Sequence, residues 1–285
     1  MTLPIRPPGP RRRGRSVTRA SALLSRVRLL AAAVLFLTSA GFYGLGTSPI
    51  FALDRGRVEI SGTHYTDETT VMAALGLDVA VVPNVFRIRT GAMEAAVAAL
   101  PAVRAATIRA ILPDRLEVAI DERVPILVWR HGDLALLADI DGRLFAPAAV
   151  TDLLPVIDDA RPDSSADAVG TSVATVDFEV ARILGAITTA DLGTAATSIG
   201  VTLDDDDGWV LTTPGGWRAV FGHYTAELRP TTLIDGQVQC LAALLAQGEA
   251  DVSTVTLALT DQTCGTYTPV STPTPSPEPS RSRRP

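Results

Sequence analysis

The chain of 285 residues contains no lysine, so all 25 of its basic residues are arginine. That bias points to no function. Histidine is scarce: His64, His131 and His223 lie far apart, with no partner at catalytic or metal-ligand spacing. Cys240 and Cys264 are the only cysteines, and their spacing matches no zinc pattern, which needs further ligands nearby. A bridge between them and two free thiols both remain open. There is no G-x-S-x-G, no phosphate-cradling glycine loop and no nucleophile–base pair. These absences exclude the familiar enzyme classes and leave no expected cofactor, metal or small-molecule substrate. Asp139 and Asp141 in "ADIDG" lack the further oxygen ligands and closing glutamate of a calcium loop. They read as an Asp-Gly turn between strands. The block Asp204 to Asp207 reads as a solvated loop, the usual role of like charges in a row.

Acidic residues are missing before Asp54, a stretch that holds eight arginines. The remainder carries 17 Arg against all 31 acids, a net charge of −14. An acidic body argues against nucleic acid, which is bound by neutralising phosphates. The basic arm is explained by the apolar segment on its C-terminal side. From Leu29 to Ile50, "LLAAAVLFLTSAGFYGLGTSPI" runs 22 residues without a charge, and about 20 suffice to cross a bilayer as a helix. Residues 1–28 then form a cytoplasmic tail by the positive-inside rule, and the bulk of the chain is extracytoplasmic. Phe42 and Tyr43 fall toward the outer half, as interfacial aromatics. A cleaved signal peptide is the rival. Its apolar core is about 7–15 residues and ends in an A-x-A-like site. Thr38-Ser39-Ala40 is a weak version of that site and the apolar run continues past it, so an uncleaved anchor over 29–50 is the reading. Both cysteines then lie where a disulfide is chemically permitted.

Beyond the anchor, Val58-Glu59-Ile60 alternates as a short strand, and Thr66 precedes a helical "DETTVMAALGL". After Pro83-Asn84, "VFRI" alternates again; Thr90 then caps "GAMEAAVAAL", which Pro101 stops. "AATIRAI" and "LEVAIDE" come next, joined by a turn at Leu112-Pro113-Asp114-Arg115. Leu116, Val118 and Ile120 share one face of the second strand, with Glu117, Ala119 and Asp121 on the other. The order is strand, helix, helix, strand, strand in about 65 residues.

That order is the arrangement of a POTRA module, and the stretch "LPAVRAATIRAILPDRLEVAIDERVP" resembles the FtsQ/DivIB family of bacterial cell-division proteins. Leu100, Pro101, Val103, Ala105, Arg109, Pro113, Leu116, Val118, Glu122, Arg123 and Pro125 fit the family's most recognisable line. "ALLADIDGRLF", Leu154-Pro155-Val156-Ile157, "GGWRAVFG", a helical "LIDGQVQCLAALLAQ" and a final "VSTVTLALT" continue the likeness in family order. One departure is that Leu257-Ala258-Leu259-Thr260 is uncharged where the family often carries a basic residue. The resemblance implies an α+β protein with one transmembrane helix, a POTRA domain (β-α-α-β-β) over 54–122, and a mainly antiparallel sheet domain with helices over 123–262. The Pro/Ser/Thr-rich stretch 265–285 is expected to be disordered.

By the same resemblance the protein is a divisome scaffold at the division septum, not an enzyme. Its partners are FtsB/DivIC-like and FtsL-like small coiled-coil proteins, docked on the last strands. Val252, Thr254, Val255, Thr256, Leu257, Ala258 and Leu259 are the implied partner-binding residues, forming a sheet edge suited to strand addition. Val255, Leu257 and Leu259 are expected to face a helix, and Thr254, Thr256 and Ala258 the opposite side. The competing reading is another POTRA-containing envelope assembly or transport factor. An outer-membrane barrel needs a long array of strands of about 10 residues, and fewer than 170 residues with evident helices lie beyond Glu122.

Overall fold

The computed structural model describes residues 17–77, 83–149, 153–162, 164, 168–214, 216–227, 229–258 and 264–270. Helix α1 (Val17–Thr47) contains a 21-residue stretch, Val27–Thr47, of mean hydropathy 1.8 with none of it buried. By length and composition that stretch is able to cross a membrane. The helix stops before the expected Ile50, because Pro49 has no N–H to donate back to Leu45. A 3-10 turn, Pro49–Phe51, takes over, with the Ser48 hydroxyl accepting from the Ile50 N–H.

The strand–helix–helix–strand–strand order is present: β1 (Val58–Ser61), α2 (Glu68–Ala74), α3 (Thr90–Ala98), β2 (Val103–Ile111) and β3 (Arg115–Glu122). The three strands form a sheet in the order β1–β3–β2, with β1 parallel to β3 from Val58↔Leu116 to Ser61↔Ala119. Leu116, Val118 and Ile120 are buried, as the alternation predicts. The segment Val85–Arg87, expected to be extended, is a 3-10 turn instead. Its alternation is overridden locally by Asn84, whose side-chain oxygen accepts from the Phe86 N–H and closes the turn.

The remaining elements are β4 (Leu127–His131), β5 (Leu134–Ala138), β6 (Leu144–Pro147), β7 (Val156–Asp159), α4 (Thr175–Gly185), α5 (Thr189–Leu192), β8 (Gly200–Asp204), β9 (Gly208–Thr212), β10 (Arg218–Gly222), α6 (Ile234–Gly248), β11 (Val252–Leu257) and β12 (Gly265–Pro269). Nine strands make one sheet, in the order β12–β11–β10–β9–β8–β7–β4–β5–β6. Most neighbours are antiparallel, but β4/β7, β7/β8 and β10/β11 are parallel. A parallel pair needs a crossover, and α4 with α5 serves β7/β8 while α6 serves β10/β11. Both crossovers step the same way along the sheet, so right-handed connections put their helices on one face. That face holds the main core, with Trp129, Trp209, Trp217 and Phe221 packed against Val180, Leu184, Leu241 and Leu245. A smaller cluster of Val128, Leu137, Phe145 and Ala146 lies on the opposite face with Ala102.

By packing, the chain divides into one unit of Met1–Ser61, Met72–Glu94 and Thr107–Ala119 and another of Gly62–Val71, Ala95–Ala106 and Ile120–Pro285. The whole nine-stranded sheet belongs to the second. Strand β12 corrects the expectation that disorder begins at 265. An edge strand with all five residues exposed buries no face, so it leaves no hydrophobic alternation in the sequence.

Candidate partner-docking surface

Six of the implied docking residues, Val252 and Thr254 to Ala258, fall within the described chain, while Leu259 lies outside the described residues. Val252, Val255 and Leu257 are buried in the core beneath α6, and Thr256 is exposed on the other side. The face assignment for Val255, Leu257 and Thr256 therefore matches the alternation. The edge assignment does not. Strand β11 runs parallel to β10 (Arg218↔Thr254 to Val220↔Thr256) and antiparallel to β12 (Thr254↔Thr268 to Leu257↔Gly265). Its backbone is thus used on both sides, and among the described residues the sheet ends one strand further out, at β12.

The far end of β11 is held by buried polar groups. Arg229 donates from Nη2 to the Leu257 and Ala258 carbonyls (3.3 Å each), and Gln237 Nε2 donates to the Ala258 carbonyl at 2.8 Å. The Tyr224 hydroxyl in turn donates to Gln237 Oε1 at 2.5 Å. Burial lowers the pKa of Arg229 and raises that of Tyr224. These bonds satisfy carbonyls that lie beyond the last β10–β11 pair, Val220↔Thr256.

Strand β12 is attached to this frame in two ways besides its ladder. A disulfide joins Cys240 of α6 to Cys264, with a Cα–Cα distance of 5.3 Å, so of the two alternatives left open by sequence the bridge is the one adopted. Gly265 comes next with φ +112°, and a Cβ there would lie 2.1 Å from the Thr256 carbonyl oxygen. Only glycine allows that approach. Thr266, Tyr267 and Thr268 are exposed, Tyr267 by 55%. The sequence signals for this strand were the β-forming Thr-Tyr-Thr run and the second cysteine just before it.

Glu122 and Arg123, which stand in the family-like line, do not pair with each other. Glu122 accepts the backbone N–H groups of His64, Tyr65 and Thr66 at 2.7–2.8 Å. Burial pushes this carboxyl up, but the hydrogen bonds outweigh it and hold its pKa below the usual glutamate value. Arg123 donates to the Pro101 carbonyl and to Asp139, whose other carboxylate oxygen accepts the Asp141 and Arg143 N–H groups. Asp139 is therefore a turn former and ion-pair partner. The acidic run closes the β8–β9 hairpin, where Asp204 accepts from the Asp207 N–H and both pair with Arg218. Among the described residues no group of three or more His, Cys, Asp or Glu is arranged to hold a metal.

Strand order, the helix-covered sheet and the β-α-α-β-β module define the class: a POTRA-bearing α+β protein with, among the described residues, one apolar helix long enough to span a bilayer. Residues 56–123 match the FtsQ-type POTRA domain. The chain is 28% identical over 129 residues to the cell division protein FtsQ of Rhizobium meliloti (strain 1021), covering 41% of this chain and 40% of that protein. It is 31% identical over 122 residues to that of Burkholderia pseudomallei (strain K96243), covering 43% and 46% respectively. A third FtsQ, from Chloroflexus aggregans (strain MD-66 / DSM 9485), is 40% identical over 74 residues, 24% of this chain and 27% of that protein. The matched parts thus span less than half the length of each of these relatives. Residues 56–123 are thus similar to an FtsQ-type POTRA domain, and up to 43% of the chain is similar to parts of FtsQ proteins.

Proposed function

We propose that this protein is a non-catalytic divisome scaffold, anchored by α1 with its N-terminus in the cytoplasm, that links septal membrane proteins during division. Its POTRA domain (54–122) and sheet domain (123–262) act by protein–protein interaction. FtsB/DivIC-like and FtsL-like coiled-coil proteins are its partners. The observation that carries the reading is the outer edge of β12, the end of a nine-stranded sheet with every residue exposed. Such an edge accepts an added strand through its backbone, while alternate side chains select the partner. Of the implied docking residues, Val252 and Thr254 to Ala258 then act from one strand behind, by fixing β12 and by presenting Thr256 beside it.

The test uses the alternation of N–H direction along β12. Of Thr266 and Tyr267, one points its N–H toward β11 and the other away from it. One of the variants Thr266→Pro and Tyr267→Pro should therefore keep the parent's melting curve yet lose most of its affinity for the coiled-coil partner. Titration of the full chain with that partner decides. Full affinity in both variants, with both folded, would place docking elsewhere.

A further inference from the structure

The 3-10 turn Val85–Arg87 is tied to the end of α1 by more than chain connectivity. Asn84 Nδ2 donates to the Leu45 carbonyl (3.1 Å) and the Ser48 carbonyl (3.2 Å), groups that a helix end leaves without intrahelical partners. The Leu53 N–H donates to the Pro83 carbonyl at 3.1 Å, and the Phe51 and Phe86 rings meet edge to face at 5.0 Å. Gly46 has no side chain, and the Arg87 guanidinium lies where a Cβ would meet its Nε at 3.6 Å. Between turn and helix is a cavity of about 350 Å³ lined by Phe42, Tyr43, Leu45, Gly46, Phe86 and Arg87.

The depth of this cavity is set by the helix. Val27–Thr47 is 21 residues, and at about 1.5 Å each it spans ~31 Å, against ~30 Å for a hydrocarbon core. Leu45 and Gly46 then stand at the boundary where acyl chains give way to headgroups. At that level Phe42 (77% exposed), Tyr43 (71%), Ile50 (68%) and Phe86 (50%) present bare rings and an aliphatic chain. Arg87 is exposed and makes no ion pair among the described residues. Rings facing the acyl boundary, with a guanidinium above them, form the arrangement that interfacial segments use.

We infer that Val85–Arg87 is a lipid-docking element: Phe86 enters the leaflet at the C-terminal end of α1, and Arg87 binds a phospholipid phosphate in the cavity beside Tyr43. A planar guanidinium takes two phosphate oxygens at once. Docking this turn would add a second membrane contact to the span. The inference rests on α1 being a membrane span.

The test places a nitroxide on a cysteine introduced at Leu37, Phe86 or Thr256 of the full chain in phosphatidylcholine nanodiscs. With Cys240 and Cys264 bridged, only the new thiol reacts. Collision with oxygen and with a water-soluble nickel chelate reports depth. At Phe86 the nickel rate should be several-fold below that at Thr256, and Arg87→Gln should raise it several-fold. A label at Phe86 as open to nickel as one at Thr256, with Leu37 still protected, overturns lipid docking and leaves the span standing. A water-exposed label at Leu37 overturns the span itself. No change on Arg87→Gln removes the phosphate contact, and protection that appears only when the coiled-coil proteins are added makes a protein the occupant instead.

Discussion

Glu122 illustrates how one side chain can carry a local fold. Its carboxylate serves three consecutive N–H donors at His64, Tyr65 and Thr66, a loop that has no ladder partner of its own there. Glu122→Gln replaces a charged acceptor by a single amide oxygen and should cost roughly 1–2 kcal/mol. Because the folded pKa is lowered, its stabilisation is complete above the ordinary value of 4.5 and is lost as the pH falls through the folded value. Melting of the full chain, monitored through the fluorescence of its buried tryptophans Trp129, Trp209 and Trp217, should therefore decline more steeply below about pH 4.5 in the parent than in the variant. Equal pH slopes would remove Glu122 from the account. The residue was legible in the "ER-P" line; its three donors were not, because they lie more than 50 positions away in sequence. Gly265 was illegible for a related reason. Its need for glycine comes from the Thr256 carbonyl, which only folding brings close.

Among the elements, β11 and β12 set the candidate surface. Since β11 is paired on both sides, Thr256→Pro removes a ladder bond whichever way its N–H points. The loss should be about 1–3 kcal/mol, read as a lowered melting midpoint with binding lost only alongside folding. A variant that melts like the parent would mean β12 does not pair as described. The disulfide acts on the same pair of strands. Cys240 and Cys264 are 24 positions apart, and opening a loop of that size costs about 3 kcal/mol in the chain-entropy account. The double Cys240→Ser, Cys264→Ser variant should be destabilised by that order in denaturant titration, and its partner affinity should fall further as β12 loosens. An unchanged midpoint would argue that the bridge adds nothing to the ladder. The alternation of Val255, Thr256 and Leu257 told which way each side chain faces, since period two is local. Which strand lies beside β11 is decided by the crossover through α6 and the return of the chain, and alternation carries no trace of either.

For the whole molecule, topology is the first thing to measure. With eight arginines and no acid before Asp54, a reporter fused at the N-terminus should behave as cytoplasmic, and one fused after Val270 as exported. Exported behaviour at the N-terminus would reverse the anchor. The long apolar helix α1, the β-α-α-β-β order and the buried faces of β3 and β11 were determined by sequence alone, because hydrophobic length and period are properties of neighbouring residues. The mixed sheet, the Cys240–Cys264 pairing and the end of α1 held by Asn84 were decided only by tertiary structure. Each depends on groups distant in the chain, and an exposed edge such as β12 buries too little to leave a pattern behind. The proposed docking edge was therefore the part least visible in the residues that form it.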